Sequence, residues 1–145
     1  MGETSSASDV LIGQLSQAEI AQLWSSHIYP MLKDSNYSDM DPRLSIEDIG
    51  DLLIKDSFNL VAVVVDSEIS ALAVVYSVQE PQCKFGYVLL VCGTDLLKWG
   101  DKLASYLRQW FKNLGCEYVN YVSQPGWKRW DADSKPIGTL YLTKI

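Results

Sequence analysis

Residues 88–100, VLLVCGTDLLKWG, decide the fold of this chain together with the helical pattern that follows them as far as Gly115. The apolar run typical of a β-strand stops at Gly93, and after a short turn the apolar residues recur at helical spacing. These residues are Leu96, Leu97, Gly100, Leu103, Ala104, Leu107, Trp110, Phe111 and Leu114. Gly115 is placed to end the helix in the left-handed conformation, and a strand pattern at 117–123 follows at once. We therefore predict a right-handed strand–helix–strand unit whose two strands are parallel.

The remaining segments alternate between strand and helix patterns. Strands are predicted at 9–15, 59–66, 69–78, 83–92, 117–123 and 137–145, and helices at 16–32, 45–54, 96–114 and 124–130. The three strands of 59–92 form an antiparallel meander, and Gly86 permits a bulge in the last of them. The sequence thus predicts an α/β (α+β) fold with a mixed sheet of about six strands and roughly three to four helices, in the order β-α-α-β-β-β-α-β-α-β.

Local signals place the helix ends. Ser16 and Glu19 form a capping box at the start of the first helix, and Pro30 predicts a kink or break near Tyr29. Ser45 is placed to cap the second helix, and Glu47 and Asp48 favour its positive end.

Composition limits the class of protein. A chain of 145 residues with 48% hydrophobic content is predicted to form one domain over 9–145, preceded by a flexible tail at 1–8 that lacks the features of a signal peptide. No apolar run is long enough to span a membrane. The net charge of −6 argues against a nucleic-acid binder, although residues 1–92 carry −9 and residues 93–145 carry +3. That asymmetry indicates either an anionic ligand or acidic partner at the C-terminal half, or only an uneven solvated surface.

Several chemistry-bearing residues have both a functional and a structural interpretation. His27 could be catalytic, but its apolar neighbours favour a partly buried structural histidine. Cys83, Cys92 and Cys116 lack metal spacing and are predicted to be buried free thiols. The acidic residues around 39–51 lack the spacing of a calcium loop and indicate a solvated acidic face.

The order of elements resembles the GNAT family of N-acetyltransferases from about residue 9 to the C-terminus, with 88–123 similar to the unit that holds acyl-CoA in that family. More narrowly, the chain resembles the degenerate members of this fold encoded by tailed bacteriophages. The residues that carry this resemblance are Trp24, Pro30, Asp48, Ile49, 89–93, Gly115, Cys116 and 126–129, the last being similar to an Arg-x-Gly-Trp-x-Arg pattern.

The chain departs from the family at its phosphate loop, whose usual pattern is Gln/Arg-x-x-Gly-x-Gly/Ala. Only Gly100 matches, while Asp95 adds negative charge and Trp99 is bulky where a close backbone approach needs a small residue. Lys98 and Lys102 could partly compensate. The family's leaving-group acid is a tyrosine on the last helix, where this chain has Trp127 and Trp130; a general base would be Glu80, Asp66 or a water.

Two functions follow from the resemblance. The first is a non-catalytic phage protein, in the virion or the host cytoplasm, that has no cofactor and binds another protein through Trp127, Lys128, Arg129 and Trp130. The second is an acyl-CoA-dependent N-acetyltransferase with an atypical loop, in which strands 83–92 and 117–123 diverge to admit the pantetheine. Its acetyl-CoA would be held by Val91, Cys92, Gly93, Thr94, Lys98, Gly100 and Lys102. The sequence favours the non-catalytic function because of the altered loop. It indicates no oligomeric state.

Overall fold

The computed structural model describes residues 9–35, 44–94 and 96–121, with the backbone alone at 96 and 97. The elements in chain order are β1 (Val10–Gln14), α1 (Gln17–Leu23), a π-helical turn (Trp24–Ile28), α2 (Tyr29–Asp34), α3 (Ile46–Ile54), β2 (Asn59–Val65), β3 (Glu68–Gln79), β4 (Lys84–Gly93), α4 (Leu96–Asn113) and β5 (Tyr118–Tyr121). The strands lie side by side in chain order, antiparallel from β1 to β4, and β5 pairs with β4 in parallel. The mixed sheet and the β4–α4–β5 unit are therefore confirmed. The helix predicted at 124–130 and the strand at 137–145 lie outside the described residues.

The sheet separates two hydrophobic cores. On one face α1, α2 and α3 bury residues such as Ile20, Ile49 and Leu72. On the other face α4 packs on alternate residues of the same strands. Here Ala71 and Ala73 of β3 are small, and they share a core with Trp99, a large side chain that is only 1% exposed. Strand 59–65 is buried on both faces as its continuous β-branched run predicts.

Hydrogen bonds at the helix ends confirm the predicted caps. The Ser16 and Ser45 side chains each accept a hydrogen bond from the backbone three residues on, and Glu19 and Asp48 accept one from the cap residue's own N–H in return. The first helix is interrupted by the π-helical turn, and Pro30 lies in the first turn of α2. The break expected near Tyr29 is thus present, and it begins upstream of the proline.

The C-terminus of α4 ends as the sequence predicts. Gly115 has φ +86°, its N–H donates to the carbonyl of Lys112, and the N–H of Cys116 donates to the carbonyl of Phe111. This is a Schellman motif, which returns the chain directly into β5.

The bulge expected at Gly86 is at Leu89 instead. Val74 pairs with Leu90 and Val75 pairs with Val88, so Leu89 is the extra residue of β4. Leu89 and Leu90 consequently both face the α1–α3 core. Gly86 has a different role, because an added Cβ would lie 2.3 Å from the Phe111 ring. The glycine is therefore explained by the close packing of α4 on β4.

Other predictions about individual side chains are wrong. His27 is exposed on the π-helical turn, where its Nδ1 lies 2.7 Å from the Ser26 hydroxyl, so it is not a partly buried residue. Leu114 is 40% exposed, since the helix has ended there. Of the thiols only Cys92 is buried, while Cys83 and Cys116 are half-buried; all three are free.

No helix in the described ranges is both long and apolar enough to cross a membrane.

Candidate functional site

The turn that joins β4 to α4 is held by contacts on both sides. The N–H of Thr94 donates to the carbonyl of Ser70 at 3.0 Å, and the two hydroxyl groups lie 3.3 Å apart. The indole N–H of Trp99 donates to the carbonyl of Thr94 at 2.9 Å. Ser70 is the extra residue of a second bulge, because Val63 pairs with Ala71 while Val64 pairs with Ile69. The bulge in β3 therefore positions the turn that follows β4.

Only glycine fits this turn at position 93. Gly93 has φ +137°, a conformation that residues with a Cβ rarely adopt. An added Cβ would also lie 2.3 Å from the Ser70 carbonyl oxygen and 2.6 Å from the Ala71 Cα. Because both atoms belong to the backbone of β3, a substitution would have to move the turn or the strand.

The turn brings together the residues predicted to contact acyl-CoA. Val91 is buried in the core beneath α4, and Cys92 is buried on the opposite face. Gly93 and Thr94 are exposed at the end of the strand. Lys98 and Lys102 are exposed one turn apart on α4, and Gly100 is buried. All of these positions lie on one strand–turn–helix unit. That they bind a ligand stays a prediction.

Trp99 does not obstruct this surface. It was expected to block a close approach by its bulk, but its side chain lies in the core under α4 and bonds back to the turn. Lys98, which does face solvent, takes the place where the family pattern has its first glycine. Asp95 lies outside the described residues, so the effect of its charge stays a prediction.

The thiol of Cys92 is unsuited to nucleophilic chemistry. Burial, together with the negative charge of Asp34 at the end of α2, raises the pKa of this thiol to about 12, and a hydrogen bond with the Leu72 backbone opposes them in part. Since the thiolate is the reactive form, Cys92 stays protonated and inert near neutral pH.

The two carboxylates considered as general bases lie at opposite ends of the sheet. Asp66 is in the β2–β3 hairpin, at the end of the sheet where Ala71 pairs with Gly93. Glu80 follows β3 beyond Gln79, at the other end, roughly 30 Å from Ala71 along the strand. That either carboxylate acts as a general base stays a prediction. The interaction segment Trp127, Lys128, Arg129 and Trp130 lies outside the described residues.

The β4–β5 pairing runs from Phe85 opposite Tyr118 to Val88 opposite Tyr121. The Leu89 bulge comes directly after that last pair, and β4 continues to Gly93. The described part of β5 ends at Tyr121, so the expected divergence of the two strands stays a prediction. Neither Ser70 nor the Leu89 bulge was predicted. The signal for Ser70 is a polar residue in an otherwise apolar strand, and the signal for the bulge is a run of apolar residues without alternation.

A second concave surface lies between α1 and α3. This cleft of about 340 Å³ is lined by Trp24 and Ile54 among others, with Glu47 and Asp51 at its rim. A hydrogen bond to Glu47, together with its negative charge, raises the pKa of Tyr29. Among the described residues no three histidine, cysteine or acidic side chains are placed to hold a metal ion. Of the residues in the predicted acidic face, Glu47, Asp48 and Asp51 are exposed, while Asp39 and Asp41 lie outside the described residues.

Comparisons with known proteins identify the fold. An aminoglycoside acetyltransferase from an uncultured soil metagenomic sample matches with TM-score 0.66 and 14% identity over 94% of this chain and 97% of its own. A ribosomal-protein-alanine N-acetyltransferase from Brucella melitensis biovar Abortus 2308 matches with TM-score 0.65 and 13% identity, over 94% and 99%. A GNAT family acetyltransferase from Staphylococcus aureus matches with TM-score 0.58 and 14% identity, over 92% and 98%. No protein-family model and no curated protein matches the sequence.

The chain therefore has the GNAT fold, which at these identities is a statement about architecture alone. Acetyl-CoA is the ligand that the sequence resemblance implies, and the residues fit it in part. Two exposed lysines on the first turns of α4 and the exposed end of β4 suit an anionic, extended ligand. The N–H of Thr94 is already bonded to Ser70, so phosphate donors would have to come from the first turn of α4.

Proposed function

We propose that this protein is an acyl-CoA-dependent N-acyltransferase that transfers an acyl group to an amine. The observation that carries the proposal is the arrangement at the end of β4. There a bulge at Leu89 and the Gly93 turn lead directly into the first turn of α4. This arrangement belongs to a fold shared with acetyltransferases over more than nine-tenths of the chain. We therefore favour the enzymatic function over the non-catalytic function that the sequence alone favoured.

In this proposal the lysines and the strand end have separate tasks. Lys98 and Lys102 are one helical turn apart, so both ammonium groups reach the same side of α4 and attract phosphates there. The backbone from Val91 to Thr94 orients the extended arm of the ligand alongside β4. Bound acetyl-CoA would supply an activated thioester for attack by the amine. Asp66 is the carboxylate nearer the turn and is the base we would test first.

Calorimetric titration with acetyl-CoA tests the proposal. Wild-type protein should bind in the micromolar range, and Lys98→Gln/Lys102→Gln should weaken binding about 2-fold to 30-fold, since each exposed ion pair contributes about 0.2–1 kcal/mol. Lys112→Gln, near the far end of the same helix, is the matched control and should bind as the wild type does. No heat at millimolar acetyl-CoA would refute the enzyme.

The alternative is a non-catalytic, protein-binding member of the fold, as the resemblance to phage proteins implies. The observation that favours it is the bond from Thr94 to Ser70, which occupies a donor at the turn within the protein itself. On this alternative the chain has no cofactor, is found in a virion or in the host cytoplasm, and binds a phage or host protein through Trp127, Lys128, Arg129 and Trp130. Absence of acetyl-CoA binding, together with loss of partner capture by Trp130→Ala, would support it.

A further inference from the structure

The outer edge of β1 has the features of a surface that pairs with itself. We propose that two copies of this chain associate through an antiparallel β1–β1 pairing centred on Ile12, which makes one continuous sheet across the dimer. The inference concerns a surface remote from the β4–α4 turn and does not depend on the proposed enzymatic function.

The backbone groups on this edge are placed for such a pairing. Leu15 donates its N–H to the carbonyl of Leu60, and Asp9 accepts from the N–H of Asp66. In an antiparallel ladder the hydrogen-bonded pairs alternate, so residues 9, 11, 13 and 15 direct their backbone groups toward β2. Val10, Ile12 and Gln14 therefore direct theirs outward, and in the described ranges β1 is the last strand at this side of the sheet. These groups form a template for another strand.

The side chains select one register. Leu11 and Gly13 lie on the same face of the sheet, paired with Val64 and Ala62 of β2. Leu11 is 69% exposed, and an added Cβ at Gly13 would have nothing within 4 Å. When the two-fold axis passes by Ile12, Leu11 of each copy lies opposite Gly13 of the other. The exposed Leu11 side chain of each copy then covers the open backbone at Gly13 of the other copy. The two-fold axis repeats this contact, so it occurs twice in the dimer.

The absence of charged side chains on β1 permits this approach. Each chain carries a net charge of −6, but Val10–Gln14 contains no charged residue. In the proposed register Asp9 lies opposite Leu15 of the other copy and not opposite a carboxylate. On the second face, the Trp110 indole donates to the Gln14 side chain and holds that end of the strand. A second copy therefore fits this edge better than a charged peptide does.

Strands of this length give a weak dimer. Only five residues of each copy pair, so the interface is smaller than a standard protein interface. We therefore expect a dissociation constant of about 0.1–1 mM for the dimer. Sedimentation velocity across about 10 µM to 1 mM should show a weight-average coefficient that rises with concentration. A constant coefficient over that range would overturn the proposal.

Two variants of Ile12 separate pairing from folding. Ile12→Pro removes an outward N–H, which the monomer tolerates because β2 does not use it, whereas Ile12→Ala loses the same side chain and keeps the donor. Ile12→Pro should weaken dimerisation about tenfold more than Ile12→Ala, with circular dichroism confirming that both fold. Equal dissociation constants for two folded variants would contradict pairing through this edge. If Ile12→Pro does not fold, Val10→Pro and Val10→Ala make the same comparison at the start of the strand.

Cross-linking tests the register. An equimolar mixture of Leu11→Cys and Gly13→Cys should form an intermolecular disulfide several times faster than either variant alone, because opposite residues are within disulfide distance. Peptide mass spectrometry should locate the bond between positions 11 and 13. A mixture that cross-links no faster than the separate variants would exclude this register and overturn the proposal.

Discussion

Replacing a glycine by alanine at each of three positions separates backbone strain from steric collision, the two causes of the instability expected at Gly93 in the β4–α4 turn. Gly93 combines a positive φ with a contact to the backbone of β3, Gly115 has a positive φ and open space, and Gly13 has open space and no positive φ. The three variants add the same methyl group. They therefore differ only in conformational strain and in collision with neighbouring atoms.

The structure sets the expected order of stability. Gly13→Ala should leave the free energy of unfolding unchanged or raise it by about 0.4–1 kcal/mol, because alanine restricts the unfolded chain. Gly115→Ala should cost about 1–2 kcal/mol for its left-handed backbone. Gly93→Ala should cost about 1.5–4.5 kcal/mol, from about 1–3 for the backbone conformation and about 0.5–1.5 for the Thr94–Ser70 bond that the methyl group displaces.

Urea denaturation followed by tryptophan fluorescence measures these differences, and thermal melting gives an independent check. Each kcal/mol should shift Tm by roughly 2–4 °C in a domain of this size. If Gly93→Ala loses no more stability than Gly115→Ala, the contact between β3 and the turn does not constrain position 93, and the reasoning is wrong. A large loss in Gly13→Ala would show that β1 has been misplaced.

Three further outcomes are expected. Phe111→Ala should lower the free energy of unfolding by about 3–5 kcal/mol, and Trp110→Ala should lower it by clearly less, because Phe111 is 1% exposed while Trp110 is half-buried. Equal losses of stability in urea denaturation would show that α4 is rotated about its axis. Iodoacetamide at pH 8, followed by mass spectrometry, should label Cys116 well before Cys92, because burial raises the pKa of Cys92 to about 12; faster labelling of Cys92 would contradict its placement. The pKa of Glu19 is lowered by its hydrogen bond with the Ser16 backbone, so its stabilising effect is present above the ordinary value of 4.5 and is lost as the pH falls through the lowered pKa. The urea midpoints of wild type and Glu19→Gln should therefore converge at acid pH, and a gap that widens there would have the wrong sign.

The order of the elements was predictable because each strand and helix carries its own periodic pattern. The apolar spacing of α4 predicted the helix, and Gly115 predicted its left-handed end. Ser16 and Glu19 predicted the first capping box, whereas Ser45 predicted only a cap and the return bond to Asp48 was not foreseen. These signals are local, so they survive folding unchanged. The residues predicted to contact acyl-CoA lie on one strand–turn–helix unit because they belong to one continuous stretch of chain, and that they form a site stays a prediction.

The contacts across strands were not predictable. Leu89 was missed because a bulge is a mismatch between two strands, and neither sequence alone contains it. Trp99 was predicted to hinder a close approach because its role was judged from the phosphate loop, while the direction of its side chain is set by the rotation of α4 against β3. His27 was misjudged because the π-helical turn rotates it away from the apolar side.

The pairing of small strand residues with a large helix residue beneath α4 has an evolutionary consequence. Ala71 and Ala73 are small residues of the core that α4 covers, and Trp99 is buried in the same core and holds the turn. Enlarging an alanine first would strain the core, and shrinking the tryptophan first would leave a void and release the Thr94 carbonyl. We therefore expect relatives that carry this turn to change these positions rarely and together.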